Sequence, residues 1–348
     1  MTALMKDILK QPDELIRSLT FTLGPGRAAL ERAANILNDA KHIYLTGIGS
    51  SWSAGFAISS LFHAEGRPAF LVDASELLHF VQLPKNSAVI VLSRSGRSVE
   101  VVSLKSKLAQ SGAKTILITN TPDSPLSQLA DVVLRLEAAF DHTVSVTMYS
   151  GMLLVGGLLA SASLCNLSDS LTKGLVELLS LVKNATGPWL REMSGSAWFS
   201  RDPSTYFLAR GGSLASCHEA KLLWEEAAKV PASAMTTGCF RHGSQEIIVE
   251  GLRFGMWIDS DQSREQDLVL AADIRKFGGK VMLIGQNLSA DAGDLVFRLP
   301  VTPRGWQFLI DIMPAQFAAE YLSQIRGVDC DSFRIGSYIV ESDRGLAG

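Results

Sequence analysis

The residues with the plainest chemical capacity are the serines of Ser93-Arg-Ser-Gly-Arg-Ser98. They follow the apolar run Ala88-Val-Ile-Val-Leu92, which reads as a buried strand, and the pattern predicts a helix from Val99. The amino end of a helix carries unpaired N–H groups and the positive end of its dipole, so it favours an anion. Ser93, Ser95 and Ser98 add hydroxyl donors there, and Gly96 permits close approach: the composition of a phosphate cradle. Gly47-Ile-Gly-Ser-Ser51 is a second turn of this kind, contributing Gly49, Ser50 and Ser51. Further along, Glu219 and Glu226 stand seven apart on a helix expected from Ser213, read as its cap, to about Lys229. That spacing puts both on one helical face. Glutamates on a helix are usually solvated, and a lone histidine is usually structural. His242 sits in Gly238-Cys-Phe-Arg-His-Gly243.

The elements that must position these residues come in two similar sets. Lys41–Gly47 parallels Ser204–Arg210, Gly112–Thr119 parallels Gly279–Gly285, and Ala130–Leu136 parallels Gly293–Leu299, in order and at nearly one offset. Two copies of one domain follow, since a period this long is not a solenoid. Within each half, short apolar runs alternate with helical patterns, the mark of a parallel sheet covered on both faces. Strands are expected near Ile43–Thr46, Ala69–Val72, Val89–Leu92, Thr115–Ile118 and Val132–Leu136. The second set is Tyr206–Ala209, Ala232–Met235, Phe254–Ile258, Val281–Ile284 and Leu295–Leu299. The fold class is α/β, with two doubly wound five-stranded parallel sheets in tandem. The expected bounds are a helical segment over 1–39, a first domain over 40–184, a second over 195–335 and a tail over 336–348. Asn184–Trp189 is read as a break in a long helical region.

Composition removes several classes. The chain has 348 residues, a net charge of −3 and 19% charged residues, which lacks the basic face a nucleic-acid binder needs. Its 4 cysteines form no C-x-x-C pair, so neither a zinc site nor a disulfide framework is expected, and a reducing cytoplasm is the simplest setting. Residues 1–18 carry charges and no apolar core, unlike a signal peptide. His142–Ser168 has no charged residue, but Gly151, Gly156, Gly157, Ser161 and Ser163 interrupt its apolar run. A buried or dimer-interface helix is expected there rather than a membrane span. Gly47-Ile-Gly-Ser-Ser-Trp52 begins like a dinucleotide fingerprint, but Trp52 is too large for its third glycine position. Asp73 lies at roughly the distance of a ribose-binding acid, yet no suitable acid fills that role, and NAD is rejected.

Gly49-Ser-Ser51, the Ser93–Ser98 turn and the doubled five-stranded pattern resemble the sugar isomerase (SIS) domain family. In its tandem form the family includes the isomerase half of glucosamine-6-phosphate synthase, sugar-phosphate deaminases and fructosamine-6-phosphate deglycases. The resemblance covers essentially the whole chain. It implies that Gly49, Ser50, Ser51, Ser93, Ser95, Gly96 and Ser98 hold a sugar phosphate, with Ser145 and Thr147 in the small-residue segment Val144–Thr147. It makes Glu226 the catalytic carboxylate, with Glu219 in the pocket wall. His242 becomes a ring-opening residue that commonly reaches the partner subunit's site, so a homodimer with shared active sites is expected. Two departures stand out. The synthase's carboxyl-terminal lysine has no counterpart between Asp329 and Gly348, which offers Arg334 and Arg344, and the lysine that commonly follows Val144–Thr147 is replaced by Met148. Residues 1–39 are too short for the synthase's glutaminase domain.

The resulting expectation is a cytoplasmic enzyme on a phosphorylated amino sugar or sugar–amine adduct. It would be a deaminase or deglycase working by enolisation, with Glu226 as base and His242 assisting ring opening. A general base and enolate donors would suffice, with no metal and no cofactor. Aldose–ketose isomerisation is the alternative chemistry, and a non-catalytic sugar-phosphate sensor is the alternative class. No nucleic acid or membrane partner is expected.

Overall fold

The computed structural model describes residues 1–201, 204–342 and 345; Arg344 and most of the last six residues lie outside them. The chain divides into two units. One comprises residues 13–173 and the carboxyl-terminal segment from Phe333; the other comprises residues 1–12 and 174–332. Both boundaries near the ends of the first unit fall inside helices, α1 (Ala3–Leu23) and α7 (Asp169–Met193).

In the first unit, α1 and α2 (Arg27–Asp39) precede β1 (His42–Gly47), α3 (Ser50–Ala64), β2 (Ala69–Asp73) and α4 (Ala74–His79). There follow β3 (Ser87–Leu92), α5 (Val99–Ser111), β4 (Lys114–Thr119), β5 (Val132–Arg135) and α6 (Thr147–Ser163). The parallel sheet has the order β2-β1-β3-β4-β5. Its central strand β3 is buried at every residue, as expected where helices cover both faces. On one face Val89, Val91 and Leu117 pack with Leu104 and Leu108 of α5.

After α7 the second unit runs β6 (Thr205–Ala209), a 3-10 turn Gly211–Ser213, α8 (Leu214–Glu226), β7 (Ala232–Thr236) and α9 (Thr237–Phe240). It continues through β8 (Arg253–Trp257), α10 (Arg264–Lys276), β9 (Lys280–Gln286), β10 (Leu295–Leu299) and α11 (Met313–Arg326). Its parallel sheet has the order β10-β9-β8-β6-β7. Renumbered from β6, that is the strand order of the first sheet. A local device is repeated too. Asp131 accepts from the Thr115 amide at 2.8 Å and from Lys114 Nζ at 2.8 Å. Asp294 accepts from the Val281 amide at 2.8 Å and from Lys280 Nζ at 3.4 Å. All ten expected strands are present.

The structure departs from the sequence reading at two helices, α7 and α8. Asn184–Trp189 does not end the helix: α7 continues through Pro188 because Leu175, Leu178, Leu179, Val182, Trp189 and Met193 form one buried stripe across it. The Trp189 indole anchors that stripe by donating to the Arg298 carbonyl at 3.0 Å. Packing here outweighs the hydrogen bond a proline forfeits. Ser213 does not cap α8; its hydroxyl is committed to Asp311 instead, and α8 ends at Glu226. Of the two expectations for the Gly151–Ser163 run, a buried or a dimer-interface helix, α6 meets the first: it is buried at every residue but Ala162. Gly156 there lets Ile58 of α3 approach to where a Cβ would stand 2.2 Å from its Cδ1. Asp73 caps α4, accepting from the amides of Ser75 and Glu76 at 2.9 and 3.3 Å. Among the described residues, no helix is long and apolar enough to cross a membrane.

Candidate active site

In the first sheet the strand order reverses between β1 and β3, which pair from His42↔Ser87 to Thr46↔Val91. A crevice outside the carboxyl ends of such strands is where an open α/β sheet binds ligands. Both serine turns leave from there. A Cβ on Gly47 would stand 3.0 Å from the Leu92 carbonyl, so the turns abut. Gly49, at φ 57°, turns the chain into α3, whose first residues are Ser50 and the buried Ser51.

The Ser93–Ser98 turn is held from behind. The Ser93 amide donates to the Ile118 carbonyl at 3.1 Å. The Arg94 carbonyl accepts from the Asn120 amide at 3.1 Å and from the hydroxyls of Thr119 and Thr121 at 3.1 and 3.2 Å. Ser93 Oγ accepts from the Gly96 amide at 3.0 Å, and Ser95 Oγ from the Arg97 amide at 3.2 Å. A serine hydroxyl has one hydrogen to give. With the oxygens already serving as acceptors, both hydrogens remain to be donated to an oxyanion. Gly96, at φ 60°, lies so close to Ser124 that a Cβ would stand 2.2 Å from its Oγ. Ser98, half-buried, immediately precedes α5.

Thr147 opens α6 and Ser145 lies just before it, both buried, their hydroxyl oxygens without a hydrogen-bond partner among the described residues. Buried polar atoms are nearly always paired, so two such hydroxyls mark a place for a ligand or water. Asp141 fixes this segment: its carboxylate accepts from the amides of Val146, Thr147 and Met148, each at 2.9 Å. Asp141 escaped the sequence reading. Its signal was its place as the last charge before the uncharged stretch from His142. Tyr338 joins the two parts: its hydroxyl donates to the Asp141 carbonyl at 3.1 Å, and its carbonyl and ring hold the Arg94 guanidinium at 2.6 and 3.8 Å. Gly49, Ser50 and Ser51 thus lie on the turn after β1 and Ser93, Ser95, Gly96 and Ser98 on the turn after β3, at neighbouring strand ends, with Thr147 tied to the second turn through Asp141 and Tyr338.

The remaining candidates lie in the second unit. Glu219 is buried at 1% exposure in the middle of α8, while Glu226 is half-buried at its carboxyl end. Glu225 pairs with Lys221 at 2.9 Å on the partly solvated face. Lys229 Nζ donates to the Glu226 carbonyl. His242 is exposed in the turn after α9, which Thr236 caps by accepting from the Cys239 amide at 3.1 Å. Helix α8 runs back along the sheet from the carboxyl ends of the strands to their amino ends. At about 1.5 Å per residue its 13 residues span about 20 Å. Glu226 therefore lies at the amino-end side of the second sheet and His242 at the carboxyl-end side, and one unit does not bring them together. His218, one residue before Glu219, is pushed down to about 4 by burial, with Lys221 adding to the shift, so its ring is neutral at physiological pH. Among the described residues, no group of three or more His, Cys, Asp or Glu is placed to hold a metal ion.

Residues 36–162 match the profile of the SIS domain. The isomerizing glutamine–fructose-6-phosphate aminotransferase of Pyrobaculum aerophilum is 25% identical over 340 residues, covering 95% of this chain and 56% of the relative. The chain thus spans about half the length of the curated relatives it matches. Among solved structures, the C-terminal domain of glucosamine-fructose-6-phosphate aminotransferase from Francisella tularensis superposes with a TM-score of 0.86 at 21% identity, covering 95% of this chain and 98% of that one. Glucosamine-6-phosphate deaminase from Thermotoga maritima gives 0.80 at 20% identity, covering 97% and 99%. These two likenesses establish the shared fold. The chain carries a SIS domain over residues 36–162 and is a homologue, over nearly its whole length, of a region of the isomerizing glutamine–fructose-6-phosphate aminotransferases.

Proposed function

We propose that the chain is a phosphosugar-processing enzyme whose phosphate site is the crevice between the Gly47–Ser51 and Ser93–Ser98 turns. The observation that carries this is the pair of serine turns side by side at the reversal of the first sheet, with the hydroxyl hydrogens of Ser93 and Ser95 left to donate. The second sheet, with the same strand order, is on this reading a second SIS copy, the two spanning 40–184 and 195–335. The segment 1–39 and the tail 336–348 flank them.

The chemistry proposed is proton transfer between C1 and C2 of an open-chain sugar phosphate. His242 assists ring opening by moving the anomeric hydroxyl proton to the ring oxygen. Glu226 then takes a carbon-bound proton, giving an enediol or enolamine, and returns it to the neighbouring carbon. For a 2-amino aldehyde, moving the proton from C2 to C1 produces a C2 imine, which water hydrolyses to a ketose phosphate and ammonia. For a 1-amino ketose, moving it from C1 to C2 produces a C1 imine, which water hydrolyses to an aldose phosphate and the free amine. Positioned donors on the developing oxyanion lower the barrier to either path. Deaminase or deglycase chemistry is favoured over aldose–ketose isomerisation because Met148 and the 329–348 segment lack the lysines of the synthase pattern.

Glu226 and His242 lie at opposite ends of the second sheet, and on this reading each active site takes the two residues from different copies in a homodimer. The setting proposed is the cytoplasm. The deciding assay is a panel of phosphorylated fructosamines, hexosamines and ketohexoses scored for ammonia or amine release and for isomerisation, with Ser95→Asp as the site control. Turnover that survives Ser95→Asp would remove the phosphate assignment. Tight binding of a sugar phosphate with no turnover of any panel member would make the chain a sensor.

A further inference from the structure

The second sheet has its own strand-order reversal, between β6 and β8, and that crevice is filled from within. The side chain of Asp311, fully buried, lies across it. Ser213 Oγ, from the turn after β6, donates to Asp311 Oδ2 at 2.6 Å, and Ser216 Oγ, in the first turn of α8, donates to Oδ1 at 2.5 Å. Trp257, the last residue of β8, donates its indole N–H to the Asp311 carbonyl at 2.9 Å. Gln307 Nε2 reaches the Ile258 carbonyl at 3.1 Å and Ser213 Oγ at 3.5 Å, and Gln286, at the end of β9, donates to Gln307 Oε1 at 3.2 Å. Above about pH 7, where the buried Asp311 carboxyl loses its proton, O–H···O contacts this short suit hydroxyls on an ionised acceptor. The first crevice presents the hydroxyls of Ser93 and Ser95, whose oxygens accept from turn amides and whose hydrogens are left to give. The second presents serine hydroxyls whose hydrogens have already met an oxyanion.

We infer that Asp311 is a resident oxyanion occupying the second sheet's ligand crevice, so that each chain takes one phosphate-bearing ligand, in its first sheet, and none in its second. The stoichiometry rests on the reading of the first crevice as the phosphate site; the role of Asp311 does not. The side chain does for Ser213 and Ser216 what a ligand phosphate would do for Ser93 and Ser95. The second sheet is left as a rigid platform for Glu219, Glu226 and His242.

Two measurements separate these parts. The first is chemical rescue. Asp311→Ala removes the carboxylate but keeps Cβ, leaving a space that formate matches atom for atom. At pH 8 the variant should melt several degrees below the native protein and regain part of that loss as formate is added, while chloride at equal ionic strength gives none and the native protein does not respond. If the variant fails to refold, its refolding yield with formate against chloride reads the same space. No specific response to formate in either form would overturn the resident-oxyanion assignment. The second is calorimetric titration with inorganic phosphate and with fructose 6-phosphate. One site per native chain, lost in Ser95→Asp, is the expected result. Two sites per chain, only one of them lost in Ser95→Asp, would overturn the inference while leaving the first crevice in place. Binding unaffected by Ser95→Asp would overturn the phosphate reading of that crevice and the predicted stoichiometry with it, and the formate response would still decide Asp311.

Discussion

Gly96→Ala is the sharpest perturbation of the serine turn. Two costs can be worked out separately. At φ 60° an L-residue carries a left-handed penalty of about 1–2 kcal/mol. In addition, the new Cβ would stand 2.2 Å from Ser124 Oγ and 2.6 Å from Ser124 Cβ, too close for a hydroxyl rotation to relieve. Ser124 must give up its 2.8 Å hydrogen bond to Ser127, at about 1 kcal/mol, or the turn must move off the crevice. The sum is about 2–3 kcal/mol, divided between stability and ligand affinity by how far the turn moves. Gly112→Ala is the matched control: its φ is 67°, but nothing stands within 4 Å of the new Cβ. Thermal unfolding and calorimetric titration with fructose 6-phosphate would be run on both variants and on Gly96→Ala/Ser124→Gly. The expected result is at least a tenfold loss of affinity in Gly96→Ala, about 1.4 kcal/mol, with none in Gly112→Ala. Partial recovery is expected in the double variant, a coupling that only touching residues produce. Native affinity in Gly96→Ala, with a melting shift no larger than that of Gly112→Ala, would refute the claim that this turn meets the ligand.

Glu226→Gln should reduce turnover by at least about 10² with little change in sugar-phosphate affinity, as for a group acting on the proton in the transition state. Glu225→Gln should be nearly silent, and the reverse pattern would move the role to Glu225. Glu226→Gln and His242→Asn subunits, each inactive alone, should regain activity when mixed, because one of the two shared sites is then intact; no recovery in a proven heterodimer would defeat the shared-site proposal. Burial pushes the Asp311 carboxyl up to about 7 against the pull of Ser213, Ser216 and Gln307. A carboxyl raised in the fold contributes stability that is present at low pH and lost as pH rises through about 7. The stability of the native protein relative to Asp311→Asn should therefore fall between pH 5 and pH 8, and a gap moving the other way would show the carboxyl to be depressed instead.

The sheets were legible because parallel strands buried on both faces write continuous apolar runs, as in Ala88–Leu92 and Val281–Ile284. The likeness of the two sheets was legible in Asp131 and Asp294, each just before the last strand of its sheet and each accepting from a backbone amide of the neighbouring strand. The serine turns were legible from position alone, a hydroxyl-rich stretch between a strand and a helix. What could not be read depends on contacts distant in sequence. Pro188 looked like a helix end, and only Trp189 against the Arg298 carbonyl shows why the helix survives it. Ser213 looked like a cap until Asp311, 98 residues later, took its hydroxyl. The glycines of α6 left a buried helix and a dimer-interface helix both open, and only the approach of Ile58 to Gly156 shows what the small residues admit. Asp141 is unremarkable as a letter and becomes evident only when three amides converge on it.

The central claim, that a sugar phosphate bound at the serine turns is enolised by Glu226, is tested most directly by solvent exchange. Fructose 6-phosphate, glucosamine 6-phosphate and a fructosamine 6-phosphate would each be incubated with the protein in D₂O and followed by proton NMR at C1 and C2. At least one should lose its carbon-bound proton signal at a rate cut by about 10² or more in Glu226→Gln and abolished in Ser95→Asp. Exchange that persists unchanged in Glu226→Gln, or none with any of the three despite saturated binding, would contradict the account.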